Sequence, residues 1–375
     1  MSDIRSSRSG GGRIKVLIVD DSASVRNALS DIIGSAPDLE VMAVASDPYV
    51  AAQKMRTALP DVIFLDIEMP RMDGMTFLKK IMAQRPLPVV ICSTLTEEGS
   101  QTFMQALEAG AVDAIAKPKV ATAEALAEAR MRICDVARAA AHARIGARRR
   151  TLPPIKVEEK LTADAVLPPF VPRRTGSADT DPVVAVGAST GGTEALATVL
   201  RALPVNCPGI AIVQHMPEGF TAAFARRMDG SCAIRVKEAA QGELLAPGLA
   251  LIAPGDRHLL IERVGRHFRV AVRDGPPVSR HRPSVDVLFR STAQAAGANA
   301  LGLIMTGMGD DGAQGLLELR RAGARTIAQD EASCIVFGMP KEAIARGAAE
   351  RILGLDGLAG EIARFQPNRQ QVHTS

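Results

Sequence analysis

Pro182-Val-Val-Ala-Val-Gly-Ala-Ser-Thr-Gly-Gly192 is the stretch on which the fold of the C-terminal part of the chain turns. Val183 to Val186 form a short, wholly apolar run, the pattern of a strand buried on both faces of a parallel sheet. Thr193 to Leu200 follow with helical residues at helical spacing. Between them Ser189 stands in a turn of small residues, and Gly187 to Gly191 match Gly-x-Ser-x-Gly, the nucleophile-elbow pattern. Glycines permit the sharp turn, and the helix start offers free N–H groups to a developing negative charge. By itself the pattern equally describes a phosphate-binding glycine turn or a tight βα loop without chemistry. Chemistry requires a base and an acid at the same edge of the same sheet.

Downstream, strands and helices alternate. Gly209 to Val213 is a strand leading into Gln214-His215-Met216-Pro217, and Phe220 to Met228 is a helix. Ala233 to Val236 and Leu249 to Ala253 read as strands, and His258 to Glu262 with Phe268 to Val272 as a hairpin. Pro283 to Gln294 is a helix, and Ala300 to Met305 a strand before Thr306-Gly-Met-Gly-Asp-Asp-Gly312 and a helix to Arg321. Arg325 to Ala328 is a strand, and Pro340 to Arg346 and Leu358 to Arg364 are helices. Shared membership of one sheet would bring Ser189, His215 and the pair Asp310 and Asp311 to one edge, where ligand sites form. A serine hydroxyl needs an imidazole to take its proton and a carboxylate to hold that imidazole's tautomer. Of six histidines, His142 falls in a linker helix, His373 in a polar tail, His267 in an exposed hairpin, and His258 opens a strand. His281, in Ser279-Arg-His-Arg-Pro-Ser284, either lines the cleft or makes structural hydrogen bonds. His215 alone has the placement of a base. The order Ser…His…Asp differs from the Ser…Asp/Glu…His of α/β-hydrolases, so a different fold with its own triad is expected.

At 375 residues the chain is expected to hold about two or three domains. Aromatic residues are only 3%, with no Trp and Tyr49 the single Tyr, which argues against base-stacking surfaces. The net charge of +4 is mild, so nucleic acid is not an expected partner. Five scattered cysteines without a Cys-x-x-Cys read as buried thiols of a reducing compartment. No secretory signal and no membrane-length apolar run is present, so a soluble, cytoplasmic protein without direct membrane insertion is expected.

Residues 1–12 read as a disordered leader, 13–135 as a first domain, 136–181 as a flexible linker, 182–366 as a second domain and 367–375 as a tail. In the linker an alanine-rich helix runs through Ala139 to Ala147 into Arg148-Arg-Arg150, and proline pairs follow. The first domain alternates five apolar strand runs with helices, again implying a doubly wound parallel sheet. Polar residues collect at its strand ends: Asp20 and Asp21, Asp66, Ser93 and Thr94, and Lys117. Carboxylates so gathered call for a divalent cation, with magnesium favoured by all-oxygen ligands. Asp21 or Ser22 is placed to cap the first helix.

Val19-Asp-Asp-Ser22, Leu65-Asp-Ile-Glu-Met-Pro-Arg-Met-Asp-Gly74 and Ala116-Lys-Pro118 resemble the response-regulator receiver domain, flavodoxin-like in fold. The resemblance implies phosphorylation of Asp66 by a histidine kinase, Mg2+ among Asp20, Asp21, Asp66 and the Glu68 main chain, and phosphoryl contacts from Ser93 and Lys117. Ala114 stands where receivers carry the aromatic ring of their activation switch. Val186 to Gly192, Gln214 to Pro217, Ile252 to His258, His281 to Phe289 and Leu303 to Gly312 resemble the catalytic domain of the chemotaxis methylesterase (CheB) family, Rossmann-like with a β-hairpin. This implies Ser189 as nucleophile, His215 as base, Asp311 as orienting acid, and Thr190, the Met308 N–H and His281 around the substrate and oxyanion. The implied activity is protein-glutamate methylesterase and protein-glutamine glutaminase, with chemoreceptors as substrate, a chemotaxis kinase as partner and no cofactor for the ester chemistry. Two other readings are a paralogue serving a non-chemotaxis pathway and a non-catalytic, phosphorylation-controlled binding module.

Overall fold

Two parallel sheets organise the computed structural model, which describes residues 12–69, 72–94, 97–118, 122–144, 160–171 and 180–366. The first contains β1 (Ile14–Val19), β2 (Leu39–Ala45), β3 (Val62–Asp66), β4 (Val89–Ser93) and β5 (Asp113–Ala116), in the order β2-β1-β3-β4-β5. Its helices are α1 (Ala23–Gly34), α2 (Pro48–Thr57), α3 (Gly74–Gln84), α4 (Glu97–Glu108) and α5 (Ala123–His142). Alternate residues of the strands feed separate cores. Leu17, Val19, Ile63 and Leu65 face one layer, and Val16, Ile18, Val62 and Phe64 the other. Burial on both faces is what makes these strands read as unbroken apolar runs.

The second sheet contains β6 (Val183–Ala188), β7 (Gly209–Gln214), β8 (Arg235–Glu238) and β9 (Leu249–Ile252). The strands β10 (His258–Val264) and β11 (His267–Arg273) form a separate antiparallel hairpin. After them β12 (Ala300–Ile304), β13 (Arg325–Gln329) and β14 (Arg351–Leu353) complete the sheet, in the order β14-β13-β12-β6-β7-β9-β8. The helices are α6 (Gly192–Arg201), α7 (Phe220–Asp229), α8 (Val285–Ala295), α9 (Ala313–Arg321), α10 (Met339–Ala345) and α11 (Leu355–Ala363). The chain leaves β6 for β7 on one side and returns as β12 on the other. The ends of these three neighbours therefore form a topological switch point, the usual place for a ligand site.

The expected α/β class and doubly wound parallel sheets hold. Four local expectations do not. β14 has no counterpart in the sequence reading, because its three residues sit at an exposed sheet edge and make no apolar run. Ser22 occupies the N-cap position of α1, yet its hydroxyl bonds Ser24 Oγ (2.9 Å) and caps no main-chain N–H; its own N–H donates to Asp20 Oδ1 (2.8 Å). The α5 helix runs unbroken through position 135 and stops at His142, short of Ala147. Buried Ala137, Ala140 and Ala141 keep it on the core of the first domain, and Arg138 Nε bonds Asp38 Oδ2 at 2.8 Å. Finally, residues 160–171 are seated on the second domain, with Ala163 and Leu167 buried against Leu260, Ala271, Val278 and Val287. Arg148 to Arg150 lie outside the described residues.

The two domains touch. Phe103 of α4 meets Phe220 of α7 edge to face, with ring centres 4.8 Å apart. Arg227 of α7 donates to the Met104 carbonyl (3.2 Å) and pairs with Glu108. This contact turns the β5 and α5 side of the first domain toward the switch point of the second.

Candidate active site

Ser189 follows β6 directly. Its N–H donates to the Thr306 carbonyl beyond β12 (3.0 Å). The chain then passes Gly191 at φ +76°, where a Cβ would come 2.5 Å from Ile335 Cβ, so only glycine makes this turn. Gly307 approaches from the other side; a Cβ there would lie 2.7 Å from Ser189 Cβ. His215 follows β7, and its N–H donates to the Ala188 carbonyl (3.1 Å), while Gln214 Nε2 donates to the Ser189 carbonyl (2.9 Å). Sheet pairing and the Gln214 side chain thus tie the serine and histidine loops together.

His215 Nε2 lies 2.9 Å from Asp311 Oδ2. Asp311 is 1% exposed and, from the loop before α9, lies against the N-terminus of α8. It accepts from Ser284 Oγ (2.8 Å), Val285 N (2.8 Å) and Asp286 N (3.0 Å). Burial alone would raise this carboxyl; the hydrogen bond and charge of His215, together with the α8 N–H groups, bring it below the ordinary carboxylate value. Asp310 points elsewhere, to Lys160 and to Arg346 (3.1 Å). With Nε2 committed to an ionised acid it must carry the proton, which leaves Nδ1 as the basic nitrogen. Nδ1 of His215 is buried and has no hydrogen-bond partner among the described residues. Ser189 and His215 both line a cavity of about 1110 Å3, which lies between the domains. Thr190, Met308 and His281 line it too, and no described residue takes the main-chain N–H of Thr190 or Met308. The His281 ring stacks on His215 with centres 3.7 Å apart and planes 11° apart. Burial and the neighbouring imidazole hold His281 well below the ordinary histidine value.

The other histidines among the described residues are occupied elsewhere: His142 with Arg138 O (2.7 Å), His258 with Pro276 O (3.0 Å) and Ser284 N (3.2 Å), His267 with Asp181 (2.7 Å); His373 lies outside the described residues.

At the first sheet, carboxylate oxygens of Asp20, Asp21 and Asp66 all lie within 4.8 Å of one another. Lys117 Nζ is 2.7 Å from Asp66 Oδ2 and 3.2 Å from Asp20 Oδ2, and Glu68 N donates to Asp66 Oδ1 (3.2 Å). Ser93, buried at the end of β4, places its hydroxyl 3.4 Å from the Thr94 carbonyl. Burial raises Asp66 to about 6, opposed by the Lys117 bond and helped by Asp20. Asp20 Oδ2 is buried with the Lys117 ammonium as its charged neighbour, and the three clustered carboxylates, an all-oxygen donor set, fit a hard divalent cation.

The sequence reading missed three participants: Ser284, which anchors Asp311; Gln214, which fastens the serine loop; and Asp113. The last opens β5 and accepts from Thr190 Oγ1 at 2.7 Å, across the domain boundary. Burial raises its carboxyl, with the Thr190 bond opposing. Its only signal in the sequence is a charge at the start of a buried strand. Among the described residues no helix is long and apolar enough to cross a membrane.

Residues 184–362 match the CheB methylesterase family and residues 16–129 the response regulator receiver domain. The chain is 60% identical over 352 residues to the protein-glutamate methylesterase/protein-glutamine glutaminase of group 3 operon of Bradyrhizobium diazoefficiens, covering 93% of this chain and 95% of that one. It is 61% identical over 360 residues to protein-glutamate methylesterase/protein-glutamine glutaminase 2 of Rhodospirillum rubrum, covering 94% and 98%. The crystal structure of the Thermotoga maritima CheB methylesterase catalytic domain aligns at 36% identity with a TM-score of 0.48, covering 49% of this chain and 98% of that one. With receiver and esterase domains in one polypeptide and identity near this level along almost its whole length, the chain belongs to the CheB protein-glutamate methylesterase/protein-glutamine glutaminase family.

Proposed function

We propose that this chain hydrolyses glutamate γ-methyl esters, and deamidates glutamines, on the cytoplasmic helical bundle of methyl-accepting chemotaxis receptors, under control of phosphorylation at Asp66. The observation that carries the reading is the His215–Asp311 pair beside Ser189, with Nδ1 of His215 unpartnered. Ser189 Oγ attacks the ester carbonyl as Nδ1 takes its proton. The N–H groups of Thr190 and Met308 receive the oxyanion, each good donor contributing about 3–4 kcal/mol. Asp311 stabilises the imidazolium formed. His215 then returns the proton to the leaving methoxide, and methanol departs. Water, deprotonated at the same nitrogen, attacks the acyl-enzyme and releases the glutamate carboxylate and Ser189. From a glutamine the same steps release ammonia. The neutral His281 ring covers the imidazole without adding a second positive charge.

In the receiver, Asp20, Asp21, Asp66 and the Glu68 main chain would hold Mg2+, which supplies charge neutralisation for phosphoryl transfer from a chemotaxis histidine kinase. Lys117 and Ser93 would contact the phosphoryl group. A cytoplasmic setting follows from these partners.

The receiver restrains the esterase by covering it. Asp113, at the other end of β5 from Lys117, holds the residue next to the nucleophile. Phosphorylation that draws on Lys117 therefore acts on the strand that carries this contact, a route that needs no aromatic switch at Ala114. The function is tested by methanol release from methylated receptor, with and without acetyl phosphate; release stimulated by the phosphodonor is expected, and none under either condition would refute it. A buried hydrogen bond to a charged group is worth about 1.5–3 kcal/mol. Asp113→Ala is therefore expected to raise activity without phosphodonor roughly tenfold, since about 1.4 kcal/mol is a factor of ten in the open population. Unchanged basal release would show that this bond is not the restraint.

A further inference from the structure

We infer that Ser279, seated by Asp286 and by Leu161 of the linker, is a positioning residue that fixes the turn laying His281 flat against His215. This rests on the reading of His215 as the base.

Val278 and His281 exchange both main-chain hydrogen bonds, His281 N to Val278 O at 2.8 Å and Val278 N to His281 O at 3.0 Å. Ser279 and Arg280 are thereby the two central residues of a tight turn, both at positive φ, +49° and +71°. Turns of this kind ordinarily take Asn or Gly. Other residues persist there only when their surroundings over-determine the conformation. The surroundings here are specific. Ser279 N donates to the Leu161 carbonyl (2.8 Å), and Ser279 Oγ donates to Asp286 Oδ2 (2.9 Å). Asp286 is buried, and its other oxygen accepts from Gly315 N at the start of α9 (2.7 Å). Burial and the nearby Asp311 carboxylate raise Asp286 to about 7. Leu161 in turn belongs to the segment whose Ala163 and Leu167 are buried beneath it, and Asp164 pairs with Arg290 of α8.

His281 makes no side-chain hydrogen bond among the described residues, so its ring plane is set by this turn and by the stack. The His215 ring is pinned at Nε2 alone, a single point about which it can tilt. A flat neighbour at 3.7 Å limits that tilt and so sets how His215 is presented to the cavity that Ser189 also lines. Ser279 touches no reacting atom. Its effect belongs in kcat and in the titration of His215, not in substrate affinity.

The test uses the full chain with acetyl phosphate and methylated receptor. Ser279→Gly relieves the positive φ while removing the hydroxyl, so the relaxed backbone offsets part of the cost of leaving Asp286 Oδ2 without its donor, and Tm is read alongside activity. Its kcat is expected to fall about tenfold, within the cost of a small misplacement of a catalytic group, with KM within about twofold and the acid limb of the kcat–pH profile displaced. Asp286→Ala is expected to do the same. Asp286→Asn, whose amide can still accept from Gly315 N and donate to Ser279 Oγ, is expected to restore kcat to within about threefold. A Ser279→Gly enzyme with parental kcat and an unmoved acid limb overturns the inference, as does a loss that follows Tm alone. Ring-nitrogen NMR of 15N-histidine protein reads the same point without substrate: the His215 titration shifts in Ser279→Gly, or the inference falls. A parent chain that releases no methanol while its His215 titration responds to Ser279→Gly would refute the ester reading and keep this one.

Discussion

Ser189→Ala is expected to leave the fold intact and to cut methanol release by about 10^6-fold, the scale of removing a triad nucleophile. The fold should survive because the Ser189 hydroxyl holds nothing up. The turn is fixed by the bond from its own N–H to Thr306 O, by the Gln214 side-chain amide donating to its carbonyl, and by the close approach of Gly307 to Ser189 Cβ, all of which alanine keeps. The change in stability is therefore expected to stay within about 0.5 kcal/mol. The residual rate would come from the Thr190 and Met308 N–H groups and from substrate binding, which still exceed water by about 10^3–10^4. A serine-directed fluorophosphonate should label the parent at Ser189, read by peptide mass spectrometry, and leave the variant unlabelled. Normal turnover by the variant would remove the serine from the mechanism altogether.

Ser189 and His215 were legible because each follows a strand buried on both faces, and such strands announce themselves as apolar runs with the chemistry at their ends. The clustered acids of the receiver were legible for the same reason. Other features depend on where distant segments settle. Asp310 and Asp311 are indistinguishable in composition, and only the position of α8 turns one toward His215 and the other toward Lys160 and Arg346. Which imidazole nitrogen meets the acid is likewise a matter of approach direction, which no spacing encodes. The Asp113–Thr190 bond needs two domains docked at one relative orientation. Residues 160–171 carry no apolar period, because they are held by a few buried side chains and by polar contacts to loops rather than by a repeating face. Ser22 was misread as a capping side chain because position alone does not say where a hydroxyl points.

Asp311→Asn separates the proposed acid from its neighbour and is expected to lower kcat about 10^4-fold with little change in KM, the size of a tautomer error in a serine–histidine–acid site. The carboxylate is surrounded by donors. Oδ1 takes Ser284 Oγ and Asp286 N, and Oδ2 takes Val285 N and His215 Nε2. An amide has one accepting atom and must turn its NH2 toward one pair. Toward the Oδ2 side it opposes Val285 N–H and obliges His215 to accept at Nε2, which puts the ring proton on Nδ1 and leaves Ser189 without a base. Toward the other side it opposes Asp286 N–H at the start of α8, and the imidazolium loses its negative partner. Either way a buried N–H is unsatisfied, a cost of about 1–3 kcal/mol to the fold, visible as a lower Tm. Asp310→Asn weakens only partly exposed pairs with Lys160 and Arg346, away from His215, and should retain most activity. If instead the Asp310 variant were the inactive one and the Asp311 variant kept kcat within about tenfold, the bond at 2.9 Å between His215 and Asp311 would not be the one that catalysis uses.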